Sequence, residues 1–372
     1  MNKTRIKNFL AGVKTNINAK KKVKEKIVII ESDDWGAIRT PSVEALRAFE
    51  KYGFDLRNSV YKNDALASQT DLEDLFNLLL SFKNTDGEHP IVTANAIMAN
   101  PDFKKIKESD YKKYFYERFT ETFKKYPAHN KNLSIWEKGM QSKVFQPQFH
   151  GREHLNVNRW MKALQSGSQK IRFSFDWEST SSGEGDYSFM ESLDWSNPKE
   201  INEQRKIIKE GLAIFEKTFE FKPKSFIAPC YTWDNKLEPF LADQGINCIQ
   251  GIRVQKSPTG QFGNYHRIHH FFGEINNCNT FYNIRNVFFE PSTNINYDWV
   301  DAAMARIHAA FLFDKPAVIS SHRINYIGFI NPKNKENGLL KLKQLLTAIL
   351  KKWPDVKFIT TDQLEKYILK NE

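Results

Sequence analysis

Residues 25–36 read EKIVIIESDDWG, an aliphatic run that passes directly into a cluster of acids. Four consecutive aliphatic residues predict a short buried strand, because a strand covered on both faces does not alternate polar and apolar residues. The stretch that follows, PSVEALRAFEKYG, has helical spacing of its apolar residues, with Pro41 near its start. A buried strand that leads through polar residues into a helix is the repeating unit of parallel α/β proteins.

The same unit recurs along the chain. Further strands are predicted at HPIVTANAIM, VFQPQFH, KIRFSFD, KSFIAPCY, INCIQGI, PAVISSH and VKFITT. Helices are predicted at LEDLFNLLLSF, LNVNRWMKALQ and residues 109–126, 199–219, 235–243, 299–313 and 336–352. The repetition over 372 residues favours an α/β fold, a (β/α) barrel of about seven strands whose loop insertions fall at 54–70 and 177–197.

The charge of the chain is concentrated at its N-terminus. Residues 1–26 hold nine Lys or Arg and one Glu, so they carry +8 of the net +11 and leave +3 for the rest. We therefore predict a basic arm at 1–24, followed by a single barrel domain at 25–370. The body is not a basic platform for nucleic acid. The arm is either solvated or touches an anionic surface.

The compartment is predicted from composition. No apolar run approaches the ~18 residues of a membrane-spanning helix, and the first 26 residues lack the apolar segment of a signal peptide. Cys230, Cys248 and Cys278 are too few for a disulfide framework and odd in number. These features predict a cytoplasmic protein without a transmembrane segment.

Polar clusters follow four of the predicted strands. ESDDWG, FHGREH, APCYTWD and SSHRINY each come directly after an aliphatic run. In a parallel barrel the carboxyl ends of all strands open on one face, where barrel active sites lie. The clusters are therefore expected to converge in space, although they span about 290 residues of sequence.

The adjacent acids Asp33 and Asp34 admit two interpretations. Acids between a strand and a helix commonly cap the helix N-terminus. In the functional alternative, one carboxylate binds a cation and its neighbour stays free to accept a proton.

His150 and His154 also admit more than one interpretation. Histidines four apart can bind one ion, although such a pair is often a coincidence of the surface. With Glu153 as base, His150-x-x-Glu153-His154 matches a zinc peptidase pattern, but that pattern requires an uninterrupted helix, and Gly151 lies inside it. With Asp34 as third ligand, the two histidines would form a catalytic metal site with an open position.

Other histidines are less specific. His322 ends a strand, and it is either a structural residue or a proton donor beside a metal. His266, His269 and His270 form a surface patch or, less simply, line a sugar or second metal site.

Taken in order, the clusters resemble the polysaccharide deacetylases of carbohydrate esterase family four, which contain the NodB homology domain. The matching segments are Asp33–Asp34, His150 with His154, Pro229 with Tyr231, Asp298–Trp299, and Ile319 with His322. The resemblance extends over roughly residues 25–365 and implies a distorted (β/α) barrel of the deacetylase type.

The resemblance also implies a metal site. Asp34, His150 and His154 would hold a divalent metal, most commonly zinc, with nickel or cobalt as alternatives. Asp33 would be the general base, and the metal and a backbone N–H near Tyr231 would stabilise the oxyanion.

The remaining matches would form the rest of the site. His322 would be the general acid and Asp298 would tune it, while Trp299 would line the acetyl pocket. Pro229 and Trp35 are assigned to the substrate side of the same site.

The chain departs from the family pattern at several positions. Gly151 replaces a Ser or Thr, Trp35 separates Asp34 from Gly36, and Cys230 separates Pro229 from Tyr231. The arginine that pairs with the base is absent before Pro229. Arg172 and Arg323 are candidates to replace it in space.

These observations predict a divergent, metal-dependent hydrolase that removes acetyl groups from N- or O-acetylated sugars of a polysaccharide or its precursor. The alternatives are a catalytically degenerate barrel that binds carbohydrate through aromatic residues, motivated by the absent arginine, and the zinc peptidase.

Overall fold

The computed structural model describes residues 3–56, 60–184 and 188–368. Residues 57–59 and 185–187 of the two predicted insertions lie outside these ranges, as do residues 369–370 at the end of the predicted domain. The prediction that 25–370 form one domain separate from 1–24 stays a prediction.

The central sheet is parallel in its strand pairings and positions all the polar clusters. The described residues form strands β1 Ile27–Trp35, β2 Val92–Ala96, β3 Ala99–Pro101, β4 Tyr116–Arg118, β5 Phe145–Phe149, β6 Ser225–Ile227, β7 Cys248–Gly251, β8 Val254–Pro258, β9 Tyr265–His269, β10 Phe281–Ile284, β11 Val287–Phe288, β12 Ala317–His322 and β13 Lys357–Phe358. The sheet order is β10-β7-β6-β5-β2-β1-β12-β11, and β13 pairs with β1. Two antiparallel pairs, β3 with β4 and β8 with β9, lie outside this sheet.

The helices cover the sheet and alternate with its strands. They are α1 Lys3–Asn16, α2 Val43–Tyr52, α3 Gln69–Leu80, α4 Phe103–Glu108, α5 Phe119–Lys125, α6 Asn132–Gln141, α7 Val157–Gln165, α8 Gln169–Asp176, α9 Glu200–Phe219, α10 Glu238–Asp243, α11 Trp299–Leu312, α12 Pro332–Lys352 and α13 Glu365–Ile368. Across the described ranges, no helix combines the length and apolar character needed to cross a membrane. The predicted α/β class is confirmed.

The two edges of the sheet meet through the chain itself. Strands β10 and β11 end the strand order but are separated in sequence only by Arg285 and Asn286. The Arg285 N–H donates to the Gly251 carbonyl of β7 at 2.8 Å, and the Asn286 N–H donates to the Val318 carbonyl of β12 at 3.2 Å. The sheet therefore curls into a distorted barrel whose seam lies at residues 285–286, although no ladder joins β10 to β11 in the described ranges.

Two predicted elements are wrong. KIRFSFD is helix α8 rather than a strand, and its buried Ile171 and Phe175 are four apart, on one helical face. The predicted long helix at 109–126 is only α5, because Asp110 and Tyr111 have φ values of 52° and 57° that a right-handed helix does not admit.

The basic N-terminal segment is not simply solvated. Helix α1 packs along α11, and a Cβ on Gly12 would lie 2.8 Å from the Ala309 Cβ, so the two backbones are in close contact. Asn8 donates to the Tyr297 hydroxyl at 2.8 Å, and Asn16 accepts from Asn286 at 2.9 Å. Polar residues on one face of α1 thus attach a basic segment to the barrel.

Gly338 allows α12 to approach the turn that follows β12. A Cβ at this position would lie 1.6 Å from the Asn325 carbonyl oxygen. We expect Gly338→Ala to lower the free energy of unfolding by about 1–3 kcal/mol, because the steric overlap outweighs the ~1 kcal/mol that alanine gains in helix propensity. Urea unfolding would measure this, with the exposed Glu336→Ala on the same helix as control. A Gly338→Ala variant as stable as that control would contradict the close packing.

Candidate metal centre and proton-transfer residues

Asp33 and Asp34 reach the same cavity because strand β1 is irregular at its end. Consecutive side chains of a regular strand point to opposite faces. Here the register with β2 shifts between Ser32 and Trp35, and Asp34 has a φ of 73°. The bulge redirects the Asp34 carboxylate, so that adjacent acids line one cavity.

Asp34, His150 and His154 form a group that could hold a metal ion. The Asp34 Oδ1 lies 3.5 Å from the His150 Nε2 and 3.4 Å from the His154 Nε2. Metal–ligand bonds of about 2.0–2.2 Å at tetrahedral angles place ligand atoms about 3.3–3.6 Å apart. The spacing therefore fits a cation between three protein ligands.

The protonation of the histidines fits the same group. The His150 Nδ1–H donates to the Ile227 carbonyl at 2.9 Å, which orients the ring so that its Nε2 faces Asp34. Burial lowers the pKa of His154 to about 3, so this imidazole is neutral, as a metal ligand must be. The buried His154 Nδ1 has no hydrogen-bond partner among the described residues.

The residues between the histidines support this geometry in place of a helix. Residues 150–156 are irregular, and α7 begins only at Val157. Gly151 has a φ of 120°, a conformation that a Ser or Thr rarely adopts. The Glu153 carboxylate accepts from Arg152 at 2.7 and 2.9 Å and from the Tyr114 hydroxyl at 3.0 Å. The peptidase interpretation is therefore wrong, because the two histidines do not lie on one helix and Glu153 is not a free base.

Arg285 supplies the arginine that the local sequence lacks. Its two terminal nitrogens each donate to one oxygen of Asp33 at 2.6 Å, and its Nε donates to Glu31 at 2.6 Å. Burial alone would raise the pKa of Asp33, but the guanidinium holds it well below its usual range. Sequence reasoning missed Arg285 because it lies at the barrel seam, 56 residues after Pro229.

The two arginines proposed as replacements have other partners. Arg323 donates to Asp64 and to the Ala37 carbonyl, and the Arg172 Nε donates to the Leu164 carbonyl at 3.0 Å. Both proposals are wrong.

His322 lies beside Asp33 in the wall of the cavity. The two residues are aligned in the register of the parallel strands β1 and β12, and the His322 Nε2 lies 3.7 Å from the Asp33 Oδ2. The His322 Nδ1 lies 2.7 Å from Glu290. Burial lowers the pKa of His322, but Glu290 and then Asp33 more than offset this and raise it to about 10. Because 37% of the side chain is exposed, solvent moderates the shift.

Asp298 and Trp299 lie outside this cluster. Asp298 caps α11 by accepting from the Asp301 N–H at 3.0 Å, and Trp299 donates to the Asn294 carbonyl at 2.9 Å. Glu290 holds the position beside His322 that the sequence assigned to Asp298. The signal for Glu290 is an acid two residues past a short strand, which was too weak to single out.

Trp35 and Pro229 are also away from the cavity. Trp35 is 1% exposed, donates to the Ser32 hydroxyl at 3.0 Å and packs edge-on against Phe145. It is a core residue, since the bulge that turns Asp34 outward turns Trp35 inward. Pro229 is buried at the start of a 3₁₀ turn, Pro229–Tyr231.

Tyr231 lines the cavity, with its hydroxyl 3.2 Å from an Arg285 nitrogen. Its backbone N–H donates to the Ala228 carbonyl at 3.0 Å, so this amide is engaged in the turn. The oxyanion donor expected near Tyr231 is therefore not the N–H of Tyr231 itself.

Arg39 is a second cation at the site. It donates to both oxygens of Asp34, at 3.0 and 3.2 Å, and to Asp64 at 2.6 Å. Burial alone would raise the pKa of Asp34, but Arg39, followed by His154, holds it well below its usual range. Asp34 is thus ionised and oriented, as a metal ligand requires.

The three other histidines do not form a site together. His270 is buried, bonded to Gln255 at 2.7 Å and stacked on Tyr282, whereas His266 and His269 are exposed on β9. His270 is a structural residue.

Two cavities join at the cluster. The inner one, about 310 Å³, is lined by Asp33, Asp34, His150, His154 and His322. The outer one, about 950 Å³, shares Asp34, Arg39, Tyr231 and His322 with it. Each of the two volumes lies in the size range of ligand-binding sites.

Three solved structures that align with this chain can be compared with it. A Parabacteroides distasonis protein assigned as a glycoside hydrolase/deacetylase aligns with a TM-score of 0.52 at 8% identity, over 94% of this chain and 72% of that one. A Mycobacterium smegmatis protein assigned as a polysaccharide deacetylase aligns at 0.43 and 11% identity, over 95% and 93%. A pseudoenzyme of carbohydrate esterase family four from Bacillus anthracis aligns at 0.36 and 11%, over 89% and 63%.

No family model matches the sequence, and no curated protein does. The alignment with the Parabacteroides distasonis protein, at a TM-score above 0.5, shows the fold: this chain has the same barrel fold as that protein. The resemblance inferred from five ordered motifs is confirmed at the level of fold.

Arg285 donates hydrogen bonds to two buried carboxyl groups, those of Glu31 and Asp33, which generates a stability prediction. We expect Arg285→Met to lower the free energy of unfolding by about 3–5 kcal/mol, because it leaves Glu31 and Asp33 without their counter-charge. Chemical denaturation would measure it. The exposed Arg267→Met on β9 is the control, expected to change stability by less than about 0.5 kcal/mol. Equal, small effects of both substitutions would rule out Arg285 as the counter-charge.

Glu290 sets the protonation of His322. We expect Glu290→Gln to lower the pKa of His322 from about 10 toward its ordinary value. The raised pKa stabilises the wild-type fold below about pH 6.5, and this contribution is lost as the pH rises through about 10. NMR titration of the imidazole would follow the change. Asp298→Asn, which retains a helix cap, should leave the titration unchanged; a shift in that variant alone would restore the original assignment of Asp298.

Proposed function

We propose that the protein is a metal-dependent hydrolase that removes acetyl groups from N- or O-acetylated sugars of a polysaccharide or its precursor. The observation that carries the proposal is the division of partners between two adjacent acids. Asp34 faces two imidazole nitrogens at 3.4 and 3.5 Å, whereas Asp33 is held by Arg285 and faces His322. One acid is a metal ligand, and the other is a proton acceptor.

Asp34, His150 and His154 would hold a divalent cation, with zinc as first candidate and nickel or cobalt as alternatives. Bound there, a divalent cation supplies Lewis acidity, which polarises an acyl carbonyl and lowers the pKa of water. Three protein ligands leave further positions of the coordination sphere for substrate and water.

Asp33 accepts a proton at its Oδ2. Its Oδ1 already accepts from Arg285 at 2.6 Å and from Asn95 at 2.8 Å, which occupies both lone pairs. Oδ2 accepts only from Arg285 among the hydrogen bonds described and retains a free lone pair toward the cavity. The bidentate arginine fixes the carboxylate plane, so the acceptor is oriented before substrate arrives.

His322 delivers a proton to the leaving nitrogen or oxygen. Glu290 binds its Nδ1, which directs Nε2–H into the cavity, and the raised pKa keeps the imidazole protonated at neutral pH. The acceptor, the Asp33 Oδ2, and the donor, the His322 Nε2, lie 3.7 Å apart on the wall of one cavity, so one proton can be accepted and another donated at neighbouring points of the same acyl group.

The outer cavity supports a carbohydrate substrate. Its wall carries Asn63, Ser292, Thr293, Asn331 and Asn337, amides and hydroxyls suited to a ligand rich in hydroxyl groups. Because this cavity shares Asp34 and His322 with the inner one, it suits a sugar chain with one acetyl group turned toward the acids. The cytoplasmic location stays a prediction, under which a surface-polysaccharide precursor is the natural substrate.

The main argument for the alternative function, a catalytically degenerate barrel that binds carbohydrate, no longer holds. That alternative rested on the arginine absent before Pro229, and Arg285 provides the bidentate partner of Asp33. No described feature favours binding without turnover.

The proposal predicts that metal binding and turnover separate by residue. Asp34→Asn should lose the bound metal, measured by mass spectrometry of metal content per chain. Asp33→Asn should keep the metal and lower the rate of acetate release from acetylated glycans by about 10²–10⁴-fold, because it removes the proton acceptor.

Glu153→Gln is the matched control, an acid within the same histidine motif that does not face the cavity. It should keep both metal and activity. Retention of full activity in Asp33→Asn would overturn the proposed mechanism, and metal that survives Asp34→Asn would overturn the ligand set.

A further inference from the structure

Helix α1 carries an exposed apolar stripe that the barrel does not cover. Ile6, Leu10 and Ile17 are 39%, 58% and 59% exposed, and Val13 lies between them, half-buried. Their spacing of four, three and four residues places them on one line along a helix. The Ile17 N–H donates to the Val13 carbonyl at 3.0 Å, so the helical spacing continues through Ile17.

A row of lysines runs beside this stripe. Lys3, Lys7 and Lys14 are exposed and lie at helical spacing on the adjacent strip of the helix. Residues 3–24 contain no Asp or Glu, and Lys7 and Lys14 form no ion pair within the described ranges. The opposite face, with Asn8, Gly12 and Asn16, is buried against the barrel.

We propose that the outer face of α1 docks this protein on an anionic lipid surface. A helix lying in the membrane interface buries a narrow apolar stripe while flanking lysines reach the lipid headgroups. Juxtaposed apolar and basic strips on one exposed helix face match that requirement. Because the buried face of α1 is bonded to α11 and to Asn286, docking holds the whole barrel at the surface.

The distribution of charged and apolar residues on α1 argues against two other partners for this face, a second copy of the chain and nucleic acid. A second copy of the chain across a two-fold axis would place lysine opposite lysine, with no acid on α1 to compensate. Nucleic acid would use the lysines but gives no role to exposed Ile6, Leu10 and Ile17, since its backbone is contacted by cationic and polar groups.

The experiment is sedimentation of the full chain with lipid vesicles. One set contains phosphatidylcholine alone, and the other contains equal parts phosphatidylcholine and phosphatidylglycerol. We expect binding to the anionic set, weakened by added salt, and little binding to the neutral set. Lys7→Gln with Lys14→Gln should weaken binding more than about tenfold, since each lysine near an anionic surface contributes about fivefold. Leu10→Asp with Ile17→Asp should abolish it.

The matched control carries Leu80→Asp and Lys138→Glu, an apolar and a basic exposed residue on α3 and α6. It should bind like the wild type. Because all substituted side chains on α1 point outward, unfolding temperature and metal content should not change, which separates this test from that of the proposed function. No binding to anionic vesicles, equal loss in the control, or a dimer that Leu10→Asp dissociates would each overturn the proposal.

Discussion

The ion pair between Arg285 and two buried carboxylates connects the fold to the site. Arg285 lies at the seam where the last strand of the sheet order continues into the first, and its guanidinium reaches Glu31 and Asp33 on β1. Isolated charges at this depth would be prohibitively costly, so each must have its partner. The closure of the barrel and the orientation of Asp33 therefore depend on the same side chain.

Strand β1 provides the second constraint. In a regular strand, one of the two adjacent acids would point into the core, where no cation among the described residues would compensate its charge. The bulge at Asp34 and the glycine conformations at Gly36 and Gly151 instead bring Asp34 toward His150 and His154. Adjacent residues then acquire different chemistry from different neighbours: Arg39 and two imidazoles beside Asp34, and Arg285 and His322 beside Asp33.

The assigned site residues that the structure places outside the cavity share one feature. Asp298, Trp299 and Trp35 were placed in the site by their order in the sequence, and the structure places them at a helix cap, outside the cavity and in the core. Glu290 and Arg285 hold the corresponding positions in space. Compensating residues of this kind occupy a place in the barrel that several strands can reach, so their sequence position is free to differ.

The resemblance to the deacetylases implied the grouping of Asp34 with His150 and His154. The sequence by itself determined the alternation of strands and helices and the convergence of four polar clusters. These follow from local periodicity and from the rule that parallel strands end on one face, which need no knowledge of side-chain contacts. Only the tertiary structure decided which arginine holds Asp33, which acid holds His322, and that the basic segment packs on α11. Those contacts join residues that are 32 to more than 250 positions apart in the sequence. They depend on how the barrel closes, which no local sequence pattern indicates.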